Sequence, residues 1–374
     1  MEQLKVLTTE ELIKRTGNGA KIIDVRPVEA YNGWQLAGES RGGHIWDAKS
    51  LPAKWADYMD WIEIVRQKEI KPGDELIVYG YSVHESRPVA ELFARAGYPD
   101  VSLYLDFVEE WAGNIELPMD KLANYRHLVS AEWVNDLISG RTPAEYHNDA
   151  YVLVHSHYRN RDAYLSGHIP GAVDMDTRAL EDTDTWNRRG PDELKRAFEE
   201  HGITADTTVV VYGKFMHPDN ADAYPGSAAG HLGAIRTAFL MIYAGVKDVR
   251  VLNGGFQSWQ DAGFQISTAD EPKQPVSDFG ADIPANPQLA VDTPRAKKML
   301  AAPDADLVCV RSYPEYIGEV SGYNYIAAKG RIPGAVFADC GSDAYHMENY
   351  RNLDHTTREF HEIEAIWQAA GITP

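Results

Sequence analysis

The 374-residue chain carries 56 acidic against 36 basic side chains, a formal net charge of −20, so a nucleic-acid or anionic-membrane surface would have to be a local basic patch working against the whole field, and no such patch is visible. No apolar run approaches the roughly 18 residues a spanning helix needs, and the first residues, Met1-Glu2-Gln3-Leu4-Lys5, lack the pattern of a secretory leader, so the expectation is a soluble protein, cytoplasmic or periplasmic, with the compartment left open. Two cysteines cannot form a disulfide framework and no closely spaced Cys/His set supplies four zinc ligands, so no metal or other cofactor is expected.

In chain order, the first helix is signalled by Leu7-Thr8-Thr9-Glu10-Glu11-Leu12, where a hydroxyl at the cap can accept a hydrogen bond from the first turn. An apolar strand follows at Lys21-Ile22-Ile23-Asp24-Val25-Arg26, then a glycine-rich phrase, Gly42-Gly43-His44-Ile45-Trp46-Asp47-Ala48. A β-rich run ends at Tyr79-Gly80, a helix ends on the glycine cap Ala96-Gly97, and Val101-Ser102-Leu103-Tyr104-Leu105 reads as a last strand. The same order then begins again. Ser130 caps a helix, Tyr151-Val152-Leu153-Val154-His155 is a strand, and the phrase returns as Ser166-Gly167-His168-Ile169-Pro170-Gly171-Ala172-Val173. Thr208-Val209-Val210-Val211-Tyr212-Gly213, a glycine-capped helix ending at Gly245, and Val249-Arg250-Val251-Leu252 complete the second round, which also contains an insertion from Phe215 to Gly226.

Residues 271–287 are rich in proline and lack apolar periodicity, as an extended linker would. Beyond them a third round starts, with a cap at Asp292, a strand at Asp306-Leu307-Val308-Cys309-Val310-Arg311, and the phrase once more as Lys329-Gly330-Arg331-Ile332-Pro333-Gly334-Ala335-Val336. Internal repetition of this kind sets the architecture: domains at 1–125, 126–270 and 288–374. Strands alternating with helices predict α/β domains, each a mainly parallel sheet with helices on both faces. Within the phrase, proline fixes φ and the glycines permit a tight turn, a structural role that also suits His168, because Arg331 stands in its place in the third round and arginine is no base at neutral pH.

Four motifs in fixed order, Asp24-Val25-Arg26-Pro27-Val28-Glu29-Ala30-Tyr31, its counterpart Arg311-Ser312-Tyr313-Pro314-Glu315-Tyr316, the Gly-His-Ile-Pro-Gly-Ala phrase, and Leu252-Asn253-Gly254-Gly255-Phe256-Gln257-Ser258-Trp259, resemble those of rhodanese domains. The overall plan is similar to the bacterial three-domain thiosulfate sulfurtransferases. The resemblance implies a persulfide-bearing cysteine in the loop after the central strand, where successive N–H groups and a helix N-terminus stabilise the thiolate. Gly80 and Gly213 occupy that position in the first two rounds, so both are expected to be silent, and in the third the loop is expected after Pro374, from a chain that continues or from a separate C-terminal segment.

The expected activity is transfer of a sulfane sulfur from a small anionic donor such as thiosulfate, or from a persulfide, to a thiol, cyanide or protein-cysteine acceptor by a ping-pong route. Arg311 and Tyr316 are the candidate substrate-binding residues, with His346, Arg351 and the insertion from Ser321 to Tyr325 as further wall; for Arg311 a loop-holding role stands equally open. Cys309 lies in an apolar strand, and Cys340 has acidic neighbours that disfavour a thiolate, so neither reads as the nucleophile. Two other classes remain open: a non-catalytic binding or scaffold protein, and a phosphatase or arsenate reductase on the same fold.

Overall fold

The computed structural model describes residues 4–216, 229–323, 326–343 and 346–373. Most of the insertion after Phe215, Asn324 and Tyr325 of the later insertion, and Pro374 lie outside the described residues. The chain divides into two compact units, Met1–Tyr125 and Arg126–Pro374.

The first unit runs β1 (Lys5–Leu7), α1 (Thr9–Thr16), β2 (Lys21–Asp24), α2 (Val28–Asn32), β3 (His44–Ile45), β4 (Lys49–Ser50), α3 (Trp61–Gln67), β5 (Leu76–Tyr79), α4 (Val83–Arg95), β6 (Val101–Tyr104) and β7 (Met119–Asp120). Five of these strands form a parallel sheet in the order β1-β6-β5-β2-β4. Alternation along the strands divides the apolar residues between two faces: Ile23, Val78 and Leu103 pack against α3 and α4, whereas Ile22, Ile77 and Tyr79 pack with Leu12, Tyr31 and Phe107. α1 starts where expected because the Thr8 hydroxyl accepts from the Glu11 amide while the Glu11 carboxylate accepts from that of Thr8.

The second unit continues with β8 (Leu128–Val129), α5 (Ala131–Ile138), β9 (Tyr151–His157), α6 (Arg161–Leu165), β10 (Val173–Asp176), α7 (Pro191–Glu200), β11 (Thr208–Tyr212), α8 (Gly230–Ala244), β12 (Asp248–Leu252) and α9 (Gly255–Asp261). Its sheet order, β10-β9-β11-β12-β8, reproduces that of the first unit strand for strand. Residues 271–287 contain no helix or strand and lie along this sheet domain: Phe279 is buried in its core, and the Val276 and Asn286 amides donate to the carbonyls of Glu199 and Tyr243.

Beyond them come α10 (Thr293–Met299), β13 (Val308–Cys309), α11 (Tyr313–Ile317), β14 (Val336–Phe337) and α12 (Phe360–Ala369). β13 pairs in parallel with β14, as β2 does with β4 and β9 with β10. Among the described residues the other side of β13, where β5 or β11 would lie, has no strand partner. A strand laddered on one side only is short, so the expected six-residue strand is reduced to two residues, and Val310 and Ile332 are 46% and 60% exposed. Asp292, read as a helix cap, instead forms an ion pair with Arg188 at 2.8 Å, which draws the carboxylate off the helix end.

The repeated phrase has one job three times. Its Pro-Gly turn closes with Ala172 N–H donating to Ile169 and Ala335 N–H to Ile332, and Gly171 and Gly334 take φ of 78° and 83°, which a type II turn requires and only glycine adopts at no cost. A tyrosine from the preceding helix fixes each turn: Tyr31, Tyr164 and Tyr316 donate to the carbonyls of Ala48, Ala172 and Ala335 at 2.7, 3.0 and 2.9 Å. The side chain before the isoleucine donates back to that tyrosine's own carbonyl, from His44 at 2.8 Å, His168 at 3.0 Å and Arg331 at 3.0 Å. The two histidine rings also stack on their tyrosine rings at 3.6 and 4.0 Å, and the Arg331 guanidinium sits 4.2 Å over that of Tyr316.

Candidate active site

In each sheet the loop that follows the central strand opens at the carboxyl edge, where open α/β folds place ligands. At the end of β5 a Cβ on Gly80 would meet Val25, Ser86 and Glu85 at 2.9 to 3.1 Å, so the space is already filled. The Glu85 carboxylate accepts from the Tyr81 amide at 2.8 Å, placing a built-in anion where loop N–H groups would otherwise cradle one. Behind it Arg26 is wholly buried, with Nη2 donating to Asp24 at 2.6 Å and to the Gly43 carbonyl at 2.7 Å.

At the end of β11 the loop is closed by backbone. The Gly213 carbonyl accepts from Phe256 N–H at 3.0 Å, the Lys214 carbonyl accepts from His231 N–H at 3.1 Å, and a Cβ on Gly213 would fall inside the Gly230 carbonyl. Lys214 Nζ donates back to Ala163 and Ser166. His155 holds the position of Asp24 in the ladder, facing Tyr212 as Asp24 faces Tyr79. Neither of its ring nitrogens has a partner among the described residues, and burial, with the Lys214 charge nearby, pushes its pKa well below the usual range, so it is a neutral ring packed at 5.0 Å from Tyr212.

His231 at the start of α8 is likewise neutral, its pKa pushed down to about 3 by burial with the charges of Arg351 and His355 adding to it. In the unfolded chain it takes up a proton near its ordinary value of about 6.5. The stability it contributes is therefore full above that pH and is lost as pH falls toward about 3, amounting to about 2 kcal/mol lost at pH 5. His231→Gln should flatten the decline in urea midpoint between pH 7 and pH 5, and an unchanged decline would remove His231 from that account.

The third round meets this closed loop. Thr357 N–H donates to Asn253 Oδ1 at 2.8 Å, so the turn between Arg351 and Thr357 is fastened to the Asn-Gly-Gly corner of the second sheet. Phe215, which follows the closed loop, lies 4.2 Å from the His355 ring and 6.2 Å from that of His346. The Arg351 guanidinium sits 4.2 Å over the same Phe215 ring, with Nη2 donating to the His346 carbonyl at 3.0 Å.

Beside β13 lies a cavity of about 550 Å³, lined by Cys309, Val310, Arg311, Lys329, Gly330 and Ile332 among others. Arg311 therefore faces it, with Nη2 donating to the Gly330 carbonyl at 2.7 Å and Nε 3.4 Å from Cys309 Sγ, the arrangement Arg26 has with Gly43 and Asp24. Tyr316 is not part of this lining; its hydroxyl holds Ala335. His346 and Arg351 gather at Phe215 instead. Cys340 is buried, its thiol pushed up to about 12 by burial and by Glu348 and Asp339, and so is protonated. Glu85 and Asn253 carry roles that the sequence did not signal, because each depends on where a loop turns back.

The rhodanese-like domain profile matches residues 8–114 and 126–262, which takes in the whole second sheet and all of the first but its edge strand β1. The chain belongs to the rhodanese family. Relatives in that family extend the likeness beyond the profile: Thiosulfate sulfurtransferase YnjE of Escherichia coli (strain K12) is 36% identical over 377 residues, spanning all of this chain and 81% of that protein. Sulfur carrier protein TtuD of Thermus thermophilus is 27% identical over 266 residues, 66% of this chain and 78% of its own. Among solved structures, the anaerobic ergothioneine biosynthesis enzyme from Chlorobium limicola in complex with trimethyl histidine is 64% identical with a TM-score of 0.97, over all of this chain and 88% of that one. EanB with ergothioneine covalently linked with a persulfide cysteine matches at the same identity and TM-score. The rhodanese assignment makes this an enzyme of the sulfurtransferase class with tandem α/β domains.

Proposed function

We propose that the protein moves a sulfane sulfur from a cysteine persulfide to the imidazole ring of trimethylhistidine, the cysteine coming from residues after Pro374 that complete the third domain. The observation that carries this reading is the 64% identity, over the whole of this chain, to the enzyme solved with trimethyl histidine. Register supports it. Two cysteines replaced in one EanB structure are spaced as Cys309 and Cys340 are; on that register the tyrosine replaced in another is Tyr323, and the persulfide cysteine falls shortly past Pro374. The open side of β13 suits a central strand like β5 and β11.

The chemistry balances without an outside oxidant. The ring carbon bonds the outer sulfur of the persulfide, the S–S bond breaks with its electron pair going to the cysteine, and the proton leaving the ring carbon neutralises the thiolate released. Reloading takes a small anionic sulfane-sulfur donor such as thiosulfate, which would leave sulfite. Arg311, charged and beside the cavity, is the residue we assign to drawing that donor in.

The 36% identity to YnjE favours a second reading, thiosulfate as donor with cyanide or a thiol as acceptor. Full-length protein given labelled thiosulfate or polysulfide should convert trimethylhistidine to its 2-thio derivative, seen by mass spectrometry, while a polypeptide ending at Pro374 should form neither that product nor thiocyanate. Thiocyanate without any thiolated imidazole from the full-length protein would replace the first reading by the second.

A further inference from the structure

The acceptor in the reading above reacts at its imidazole and carries a carboxylate at its other end. The seam between Phe215 and the third domain holds a cation with no counter-ion among the described residues. Nη1 of Arg351 is buried and has no hydrogen-bond partner, while Nη2 is bonded to a neutral carbonyl, that of His346. The acids around it are committed elsewhere: the Glu348 carboxylate accepts from the Ser342 amide at 2.9 Å, and Asp343 holds the His346 ring at 2.7 Å. Cys340 is a protonated thiol and supplies no charge. Burial pulls the Arg351 pKa down against the weaker pull of Glu348, as expected of a charge that is desolvated and not neutralised. A guanidinium nitrogen shut off from water is normally paired, and an orphaned one marks the place of an anion.

We propose that Arg351 binds the carboxylate of the amino-acid acceptor, through the unpartnered Nη1, with the Phe215 face holding the guanidinium plane in place. The inference rests on the trimethylhistidine reading. The planar guanidinium fork suits a carboxylate, and lysine supplies its charge without its geometry. Phe215 follows the closed loop of the second domain, so that domain contributes a positioning residue to a site whose nucleophile belongs to the third.

The test is calorimetric binding of trimethylhistidine and of its decarboxylated analogue, trimethylhistamine, to full-length wild type, Arg351→Gln and Arg351→Lys, with melting curves to confirm folding. Wild type should prefer the carboxylate form, and Arg351→Gln should weaken trimethylhistidine binding on the order of 30-fold or more while leaving the analogue unchanged. Arg351→Lys should recover part of that loss. Wild-type binding that Arg351→Gln leaves intact overturns this inference alone. So does a variant whose acceptor affinity is normal and whose persulfide loading falls, since the guanidinium then serves the cysteine loop. Failure of wild type to bind trimethylhistidine overturns the acceptor assignment, and this inference with it.

Discussion

Gly213→Cys should destabilise the second sheet domain by about 3 kcal/mol or more and should carry no persulfide after thiosulfate treatment. The added Cβ falls inside the carbonyl of Gly230, and that obstacle is backbone at the first turn of α8, tied by His231 N–H to the Lys214 carbonyl. A flexible side chain could swing aside; this carbonyl moves only if the loop or the helix start moves. Even a thiol that found room would lie beside the Gly213 and Lys214 carbonyls, bonded to the Phe256 and His231 amides, and carbonyls accept hydrogen bonds and give a persulfide anion none. Urea denaturation of the variant measures the first effect, and intact-mass analysis for one added sulfur on residue 213 measures the second. A normal midpoint with a sulfur adduct there would show that the closed loop opens readily.

Gly80 is a different case with the same sequence signature. Its hypothetical Cβ meets side chains, Val25, Ser86 and Glu85, at distances a small rearrangement relieves. What closes this loop is chemical: the Glu85 carboxylate bonded to the Tyr81 amide. Both glycines were readable as the absence of a nucleophile, since glycine has no side chain to attack with. How each loop is blocked was not readable, because one block comes from a residue five positions on and the other from a helix start seventeen positions on, past an insertion that gives no periodicity.

The repeated phrase was legible for a physical reason: turn geometry is local. Proline and glycine at fixed offsets specify the type II turn wherever they occur, so Ile169-Pro170-Gly171-Ala172 and Ile332-Pro333-Gly334-Ala335 fold alike. The tyrosine that anchors each turn stands at a fixed distance before the phrase only in its helix register, and insertions between them, such as the one from Ser321 to Tyr325, blur that spacing in sequence. Hence Tyr316 read as a wall residue while its hydroxyl is bonded to Ala335. The seam of Phe215, Arg351 and His355 lay further out of reach, since it joins residues more than a hundred positions apart through contacts that no local pattern encodes.

Asp24→Ala should lower the stability of the first unit by about 3 to 5 kcal/mol, and its melting temperature by about 10 °C or more. Asp24 accepts from Arg26 Nε at 3.0 Å, Arg26 Nη2 at 2.6 Å, the Arg26 amide at 3.0 Å and the Tyr79 hydroxyl at 2.5 Å, all away from water. Removing the carboxylate leaves a wholly buried guanidinium whose next acid, Glu39, is 3.9 Å away and already engaged by the Leu36 and Ala37 amides. The loss measures that stranded charge more than the worth of the pair, so a double variant distinguishes the two. Asp24→Leu with Arg26→Met should recover most of the stability, since the Phe107 ring 4.1 Å from the guanidinium offers an apolar surface in its place. The third round of the repeat supplies the comparison, because Cys309 stands where Asp24 does and its sulfur meets Arg311 only at 3.4 Å. Cys309→Ala should accordingly cost about 1 kcal/mol or less. A first unit that tolerates Asp24→Ala as easily as that would show Arg26 to be hydrated or displaced, and would remove the buried pair from the forces that hold the loop.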